Sequence, residues 1–170
     1  MPGALIRQII ARHLGNDRVT QRVISSGVDV LSHNLETVER LTPVARDQRS
    51  GYWQSLRVLR LAKEFKPDLV TKSSLMVGLG ETQEELVESF YDLREVGVQV
   101  LTIGQYLRPT RAQRHLPVAQ YVAPGEFQRL EELAQGMGFL YVASGPFVRS
   151  SYRAGELFLE GRIRNKSALV

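Results

Sequence analysis

A chain of 170 residues, 43% apolar and 24% charged, has enough material for one buried core and the composition of an ordinary globular domain. Its 22 basic residues against 18 acidic ones leave +4, too mild and too evenly spread to point to nucleic acid. The absence of cysteine excludes disulfides, thiolate zinc sites and any iron–sulfur cluster held by the chain's own thiolates.

No apolar run approaches the roughly 20 residues that a bilayer-spanning helix needs, so no membrane partner is expected. The start, Met1-Pro2-Gly3-Ala4-Leu5-Ile6, lacks both a secretory pattern and an Arg/Ser-rich leader, and the expected compartment is the cytoplasm.

In chain order, residues 5–10 read as a short strand. Asp17 then caps a helix running to about Ser26, with Val19, Val23 and Ile24 on its buried face. Gly27 ends it, and residues 28–31 form a short buried strand. A helix over 49–65 carries Trp53, Leu56, Leu59, Val58 and Ala62 at helical spacing, and Pro67 stops it. Residues 69–77 are strand-like and run into Gly78-Leu79-Gly80-Glu81-Thr82. Thr82 and Glu85 make a capping box for a helix to about Val96, with Leu86, Val87, Phe90 and Leu93 as its apolar stripe. The next strand spans 98–103, and a polar loop follows to Pro124, which stands at the first position of a helix to about Met137. A strand over 139–143 leads into Ser144-Gly145-Pro146-Phe147-Val148-Arg149-Ser150-Ser151-Tyr152, and a helix-like tail spans 153–164.

Strands and helices alternate strictly, which predicts an α/β fold of βα units on a parallel sheet, closed as a barrel or open. In either arrangement functional groups collect at the C-terminal ends of the strands. The unusual polar clusters, at 33–37, 78–82, 105–109 and 144–152, all sit there, which suggests a shared site.

Each cluster has a plain structural alternative. Asn34 and Glu36 share a side if the strand continues, which suits ribose hydroxyls or an amino group; alternatively Glu36 opens the next helix. Gly78 and Gly80 make a tight turn, or a flat wall whose free backbone groups face a purine ring. The stretch lacks the lysine and serine of a phosphate-binding loop. Lys72 shares a face with Ser74, opposite Ser73, Leu75 and Val77, and is either a rim charge or an anion ligand. Gln105 and Tyr106 close their strand. Gly145 and Pro146 turn the chain so that Arg149, Ser150 and Ser151 are presented on a loop, to bind an anion, to ligate a metal through oxygen, or to cap the following helix. His13, His33 and His115 are too scattered to suggest a metal site.

The stretches SGVDVLSHNLETVERL, VARDQRSGYWQSLRVLRLAKEFKPDLVTKSSLMVGLGET, VLTIGQYLRPT, HLPVAQYV and GFLYVASGPFVRSSYRAGELF together resemble lipoyl synthases, of the radical S-adenosylmethionine (SAM) class. PGALIRQIIARHLGN is similar to the family's third barrel strand, with Ala11-Arg12-His13 where the family has Pro-Asp-Phe. The loop at 110–115 is slightly longer than the family's.

The resemblance implies the C-terminal half of a partial (β/α)6 TIM-type barrel over 1–147, followed by the Arg-Ser-Ser-Tyr loop and helical tail over 148–170. It implies an enzyme, a sulfurtransferase that inserts two sulfur atoms at C6 and C8 of a protein-bound octanoyl group. One 4Fe-4S cluster reduces SAM to a hydrogen-abstracting radical, and an auxiliary 4Fe-4S cluster is consumed as the sulfur source. By position Asn34 and Glu36 would contact SAM, Lys72 and Glu81 would shape its pocket, and Gln105 and Tyr106 would line it. Ser150 would be the oxygen ligand of the auxiliary cluster, with Ser151 the second choice and Arg149 favouring the deprotonated hydroxyl. The family's cluster cysteines lie in a half that the resemblance does not cover. The chain by itself is therefore expected to hold neither cluster and to be inactive. Implied partners are an N-terminal half and an octanoylated lipoyl-carrier domain or H protein, in a mitochondrion or plastid if the source is eukaryotic. The alternatives are a non-catalytic half-barrel that binds SAM or the carrier domain, and a subunit of a split enzyme.

Overall fold

Hydrophobic runs punctuated by glycine and proline set the element order in the computed structural model, which describes residues 17–28, 30–110, 112 and 115–152. The strand expected over 5–10 and the tail over 153–164 lie outside the described residues. The elements are α1 (Asp17–Ser25), β1 (Val30–Ser32), a 3-10 turn (Glu39–Leu41), α2 (Thr42–Ala45), α3 (Tyr52–Phe65), β2 (Val70–Val77), α4 (Gln83–Glu95), β3 (Val100–Gln105), α5 (Pro124–Gly136) and β4 (Tyr141–Gly145). All strand pairings are parallel, in the order β1-β2-β3-β4. The expected α/β class holds, and a four-stranded parallel sheet is consistent with part of a TIM-type barrel.

The helix ends follow from local chemistry. Thr82 Oγ1 accepts the Glu85 N–H at 3.3 Å while Glu85 accepts the Thr82 N–H at 2.8 Å, the reciprocal cap expected from the sequence. Pro124 occupies the first turn of α5, where its missing N–H costs nothing. Gly97, at φ 82°, takes the left-handed turn that ends α4.

Three expectations shift. On α3 the buried residues are Tyr52, Ser55, Leu56, Val58, Leu59 and Ala62, while Trp53 is 60% exposed. The stripe starts one residue earlier because Tyr52 reaches α4, donating to Asp92 at 2.7 Å, and Trp53 turns outward to donate to Glu39 at 2.6 Å. On α4, Val87 is only half-buried and Ser89 is buried in its place, bonded to the Glu85 carbonyl and the Tyr52 hydroxyl. β3 and β4 each begin two residues later than expected; Val98 and Phe139 are buried in the turns that leave α4 and α5, before the ladders start.

Alternation along each strand divides the sheet into two faces. Leu75, Val77, Leu101, Ile103 and Val142 pack with Leu56, Leu59, Phe90, Leu93, Phe127 and Leu130 in one cluster, so α3, α4 and α5 cover one face. A second cluster, Ile24, Val28, Leu31, Ala62 and Leu69, seats α1 on α3 and β1. The opposite face carries Ser32, Lys72, Ser74, Met76, Thr102, Gly104 and Ala143, as the parallel register dictates.

Candidate functional site

That opposite face opens, at the C-terminal ends of the strands, into a cleft of about 180 Å³. Its walls include Glu36 beyond β1, Ser74 and Met76 of β2, Gly104 and Gln105 of β3, Leu107 just after it, and Arg149 and Ser150 of the loop after β4. Three of the four polar clusters singled out in the sequence thus meet at one place. A Cβ on Gly104 would collide with the Val148 carbonyl, so glycine is what lets the loop fold down onto the sheet.

After β1 the chain stays beside β2: Glu36 N–H donates to the Ser74 carbonyl at 2.8 Å, and Met76 N–H donates to the Glu36 carbonyl at 2.8 Å. Glu36 itself is left-handed, at φ 71°, a conformation that costs a non-glycine residue roughly 1–2 kcal/mol. The 3-10 turn begins only at Glu39, so the reading of Glu36 as a helix opener is overturned. Asn34 and Glu36 do share a side: Asn34 Nδ2 donates to Glu36 Oε1 at 3.1 Å. Asn34 Oδ1 is buried and accepts nothing among the described residues. A carboxylate carried on a strained backbone, beside an unused acceptor, is a pair poised for donors such as hydroxyls or an ammonium group.

The sequence did not single out Arg46, which stands in the loop before α3. Half-buried, it donates to Ser55 Oγ at 2.8 Å. Burial lowers its pKa, while the charge of Glu36 nearby raises it. His33, 4% exposed, feels the same arginine: burial first and Arg46 second bring its pKa down to about 4, so it is neutral at pH 7. No motif marked Arg46, because an arginine in a charged, proline-bearing stretch reads as solvated.

Lys72 is 3% exposed, which overturns its reading as a rim charge. Its ammonium donates to the Ser150 carbonyl at 2.8 Å, and burial lowers its pKa to about 8. Of the two readings of 78–80, the tight turn is the one that fits, and the wall of free backbone groups is not. Glu81 accepts the Gly78 N–H at 2.5 Å and the Leu79 N–H at 2.9 Å, so both donors are consumed. Gly78 is left-handed at φ 96°, and a Cβ there would collide with the Gln120 carbonyl and the Gln105 amide, which pack directly against the turn.

Gln105 points to the helix-packed side. Its Nε2 lies within 3.0–3.2 Å of the Val77, Tyr106 and Gln120 carbonyls, and its Oε1 accepts the Val122 N–H at 2.9 Å. It staples the loop before α5 to the sheet. Tyr106 is 8% exposed within the helix-side core and donates to the Leu116 carbonyl at 2.9 Å. Arg149 is exposed, with Nη1 donating to the Pro146 and Val148 carbonyls. Ser150 and Ser151 lie in a turn, and the helix that either would cap falls outside the described residues.

Comparison with known proteins gives this geometry a context. The chain is 51% identical over 167 residues to the mitochondrial lipoyl synthase of Aspergillus flavus, a match covering 98% of this chain and 40% of that one. It is 53% identical over 159 residues to the apicoplast lipoyl synthase of Toxoplasma gondii, covering 94% and 29% respectively. The mitochondrial lipoyl synthase of Drosophila grimshawi is 53% identical over 156 residues, 92% of this chain and 42% of that one. This chain is homologous to lipoyl synthases. It spans less than half the length of each of these relatives, consistent with a C-terminal part. No protein-family model matches it.

The residues present fit one of the two groups that the lipoyl synthase resemblance implies. The free Asn34 acceptor and the Glu36 carboxylate suit the hydroxyls and ammonium group of SAM. The cleft, at about 180 Å³, is smaller than the roughly 300–1,000 Å³ of a complete small-molecule site, so it fits part of such a ligand. A 4Fe-4S cluster does not fit on this chain alone. The chain has no thiolate, and among the described residues no three His, Asp or Glu side chains converge.

Proposed function

We propose that this chain is the part of a lipoyl synthase that supplies the SAM-facing rim and the serine loop. The observation that carries the reading is the convergence of Glu36, bonded to Asn34, with Arg149 and Ser150 on one cleft, in a chain about half identical to lipoyl synthases. Asn34 Oδ1 accepts from a SAM hydroxyl or amine, Glu36 holds a cationic or hydroxyl-bearing end, and neutral His33 with Arg46 backs that carboxylate. SAM, when bound, supplies the hydrogen-abstracting chemistry that opens the octanoyl chain to sulfur insertion. Ser150 offers an oxygen to the auxiliary cluster, whose thiolates come from an N-terminal half. The substrate is an octanoylated lipoyl-carrier domain or H protein. The compartment is an organelle if the source is eukaryotic, as the names of the relatives suggest, and the cytoplasm otherwise.

The test joins this chain to the N-terminal half of a curated relative, reconstitutes the clusters anaerobically, and assays 5′-deoxyadenosine and lipoyl product separately. The parent makes both. Ser150→Ala is expected to keep forming 5′-deoxyadenosine and to lose the lipoyl product, whereas loss of a mere helix cap costs about 1 kcal/mol of stability and leaves turnover intact. Both products at the parent rate from Ser150→Ala would end the ligand assignment, and loss of only the lipoyl product from Ser151→Ala would move it by one residue. A joined parent that makes neither product would sink the functional reading.

A further inference from the structure

A buried ammonium with no carboxylate beside it is an expensive way to hold a fold together. Lys72 is such a group. It stands on the cleft-side face of β2, paired in register with Ser32 and Val100, and is 3% exposed. No carboxylate lies within ion-pair distance of it among the described residues, and burial is the cause of its lowered pKa. The hydroxyl of Ser32, its neighbour across the ladder, is buried and has no partner among the described residues. Lys72 reaches past it, along the face, to a main-chain carbonyl 78 residues away, that of Ser150.

The loop receiving this bond is otherwise tied largely to itself. Val148 N–H donates to the Gly145 carbonyl at 3.1 Å, and Arg149 Nη1 donates to the Pro146 and Val148 carbonyls. Its seat on the sheet is the bare backbone of Gly104, which gives close contact but no direction. A charge-assisted bond to the Ser150 carbonyl does give direction: it anchors the peptide plane to which Ser150 Cα belongs, and so narrows the range of positions open to the Ser150 side chain.

We infer that Lys72 is the positioning residue of the serine loop, holding Ser150 by its main chain so that the side-chain oxygen faces the cleft. The functional meaning of this role rests on the reading proposed above; the tie itself does not. A methionine at this position would fill the same space without a buried charge, so the lysine is kept at a cost to stability for the sake of placement.

Hydrogen exchange on the 170-residue chain, without SAM or iron, separates the two. Lys72→Met is expected to speed exchange of the Val148 and Tyr152 amides, both bonded within the loop, by about tenfold or more. The amides of β3 and α4 should keep their parent rates, and Lys72→Arg, which retains a donor, should restore slow loop exchange. In the joined enzyme Lys72→Met should lose a much larger share of the lipoyl product than of 5′-deoxyadenosine, because the misplaced group is the serine. Unchanged loop exchange in Lys72→Met would overturn the inference. So would equal acceleration in sheet and loop, which would make the lysine a general packing residue. Loss of 5′-deoxyadenosine in equal measure would assign it to the SAM pocket instead. The functional reading fails separately, on the products of the unsubstituted joined enzyme.

Discussion

β2 carries two surfaces built on different rules. On the helix side, Leu75 and Val77 are 0% and 1% exposed and are locked into the main core. Polar groups there have structural work: Ser73 Oγ accepts the Leu35 N–H at 3.1 Å, and Gln105 spends its whole amide on backbone. On the cleft side, Lys72 is desolvated, Ser32 Oγ and Asn34 Oδ1 are left unused among the described residues, and Glu36 holds a strained backbone. An unpaired atom alone does not mark the site. Ser144 Oγ is also unpartnered, yet its register with Ile103 turns it toward the helices. What distinguishes the cleft side is that unpaired donors and acceptors, strain and an opening to solvent coincide at the strand ends.

The largest effect should come from the helix side. Phe90 is fully buried and meets Phe139 edge-on at 6.4 Å, so Phe90→Ala should cost about 3–5 kcal/mol in urea unfolding. A loss below 1 kcal/mol would break the claim that stability resides on that side.

A smaller effect should come from His33. Its native pKa, brought down to about 4, lies below the ordinary 6.5, so between these pH values the unfolded chain binds a proton that the native chain refuses. The stability is fully present above pH 6.5 and falls as pH drops toward 4, by about 3 kcal/mol across that window. Urea midpoints at pH 7 and pH 4.5 measure it, and His33→Gln, which cannot titrate, should lose much less over the same interval. Parallel losses in the two proteins would remove His33 as the cause.

The smallest change in stability sharpens the comparison most. Glu36→Gly removes the left-handed penalty, and should leave stability unchanged or raise it by up to about 1 kcal/mol. Calorimetry should meanwhile find SAM binding to the joined enzyme weakened by about tenfold or more, the loss of one charge-assisted contact. A variant that binds as the parent does would place Glu36 outside the ligand's reach.

The architecture was legible because it rests on local chemistry. The Thr82–Glu85 cap, Pro124 at the start of α5 and the glycine stops all act within a few residues, and the observed elements follow them. Phase was harder to read. The choice between Tyr52 and Trp53 depends on Asp92, 40 residues on, so helical spacing alone could not make it. Of the cleft, the meeting of Asn34 and Glu36 was expected from strand alternation, but it arises otherwise: β1 ends at Ser32, and a left-handed Glu36 brings its carboxylate to the Asn34 amide. The rest was not legible. That Glu81 folds back on the Gly78 and Leu79 amides depends on loop conformation, and that Lys72 meets Ser150 depends on three strands lying side by side. Arg46 gave no signal, since its neighbours in space are not its neighbours in sequence.

The strand order has a temporal meaning as well. Among the described strands, each of β2, β3 and β4 pairs with the strand synthesised just before it, so this part of the sheet can grow on the ribosome one βα unit at a time. β4 is the last of the four to emerge, and Ser150 follows it. Lys72 is therefore made well before the carbonyl it holds exists. During that interval a nascent chain displays an open row of polar groups beside its strand ends, and closing of the loop over Gly104 is the step that completes the cleft.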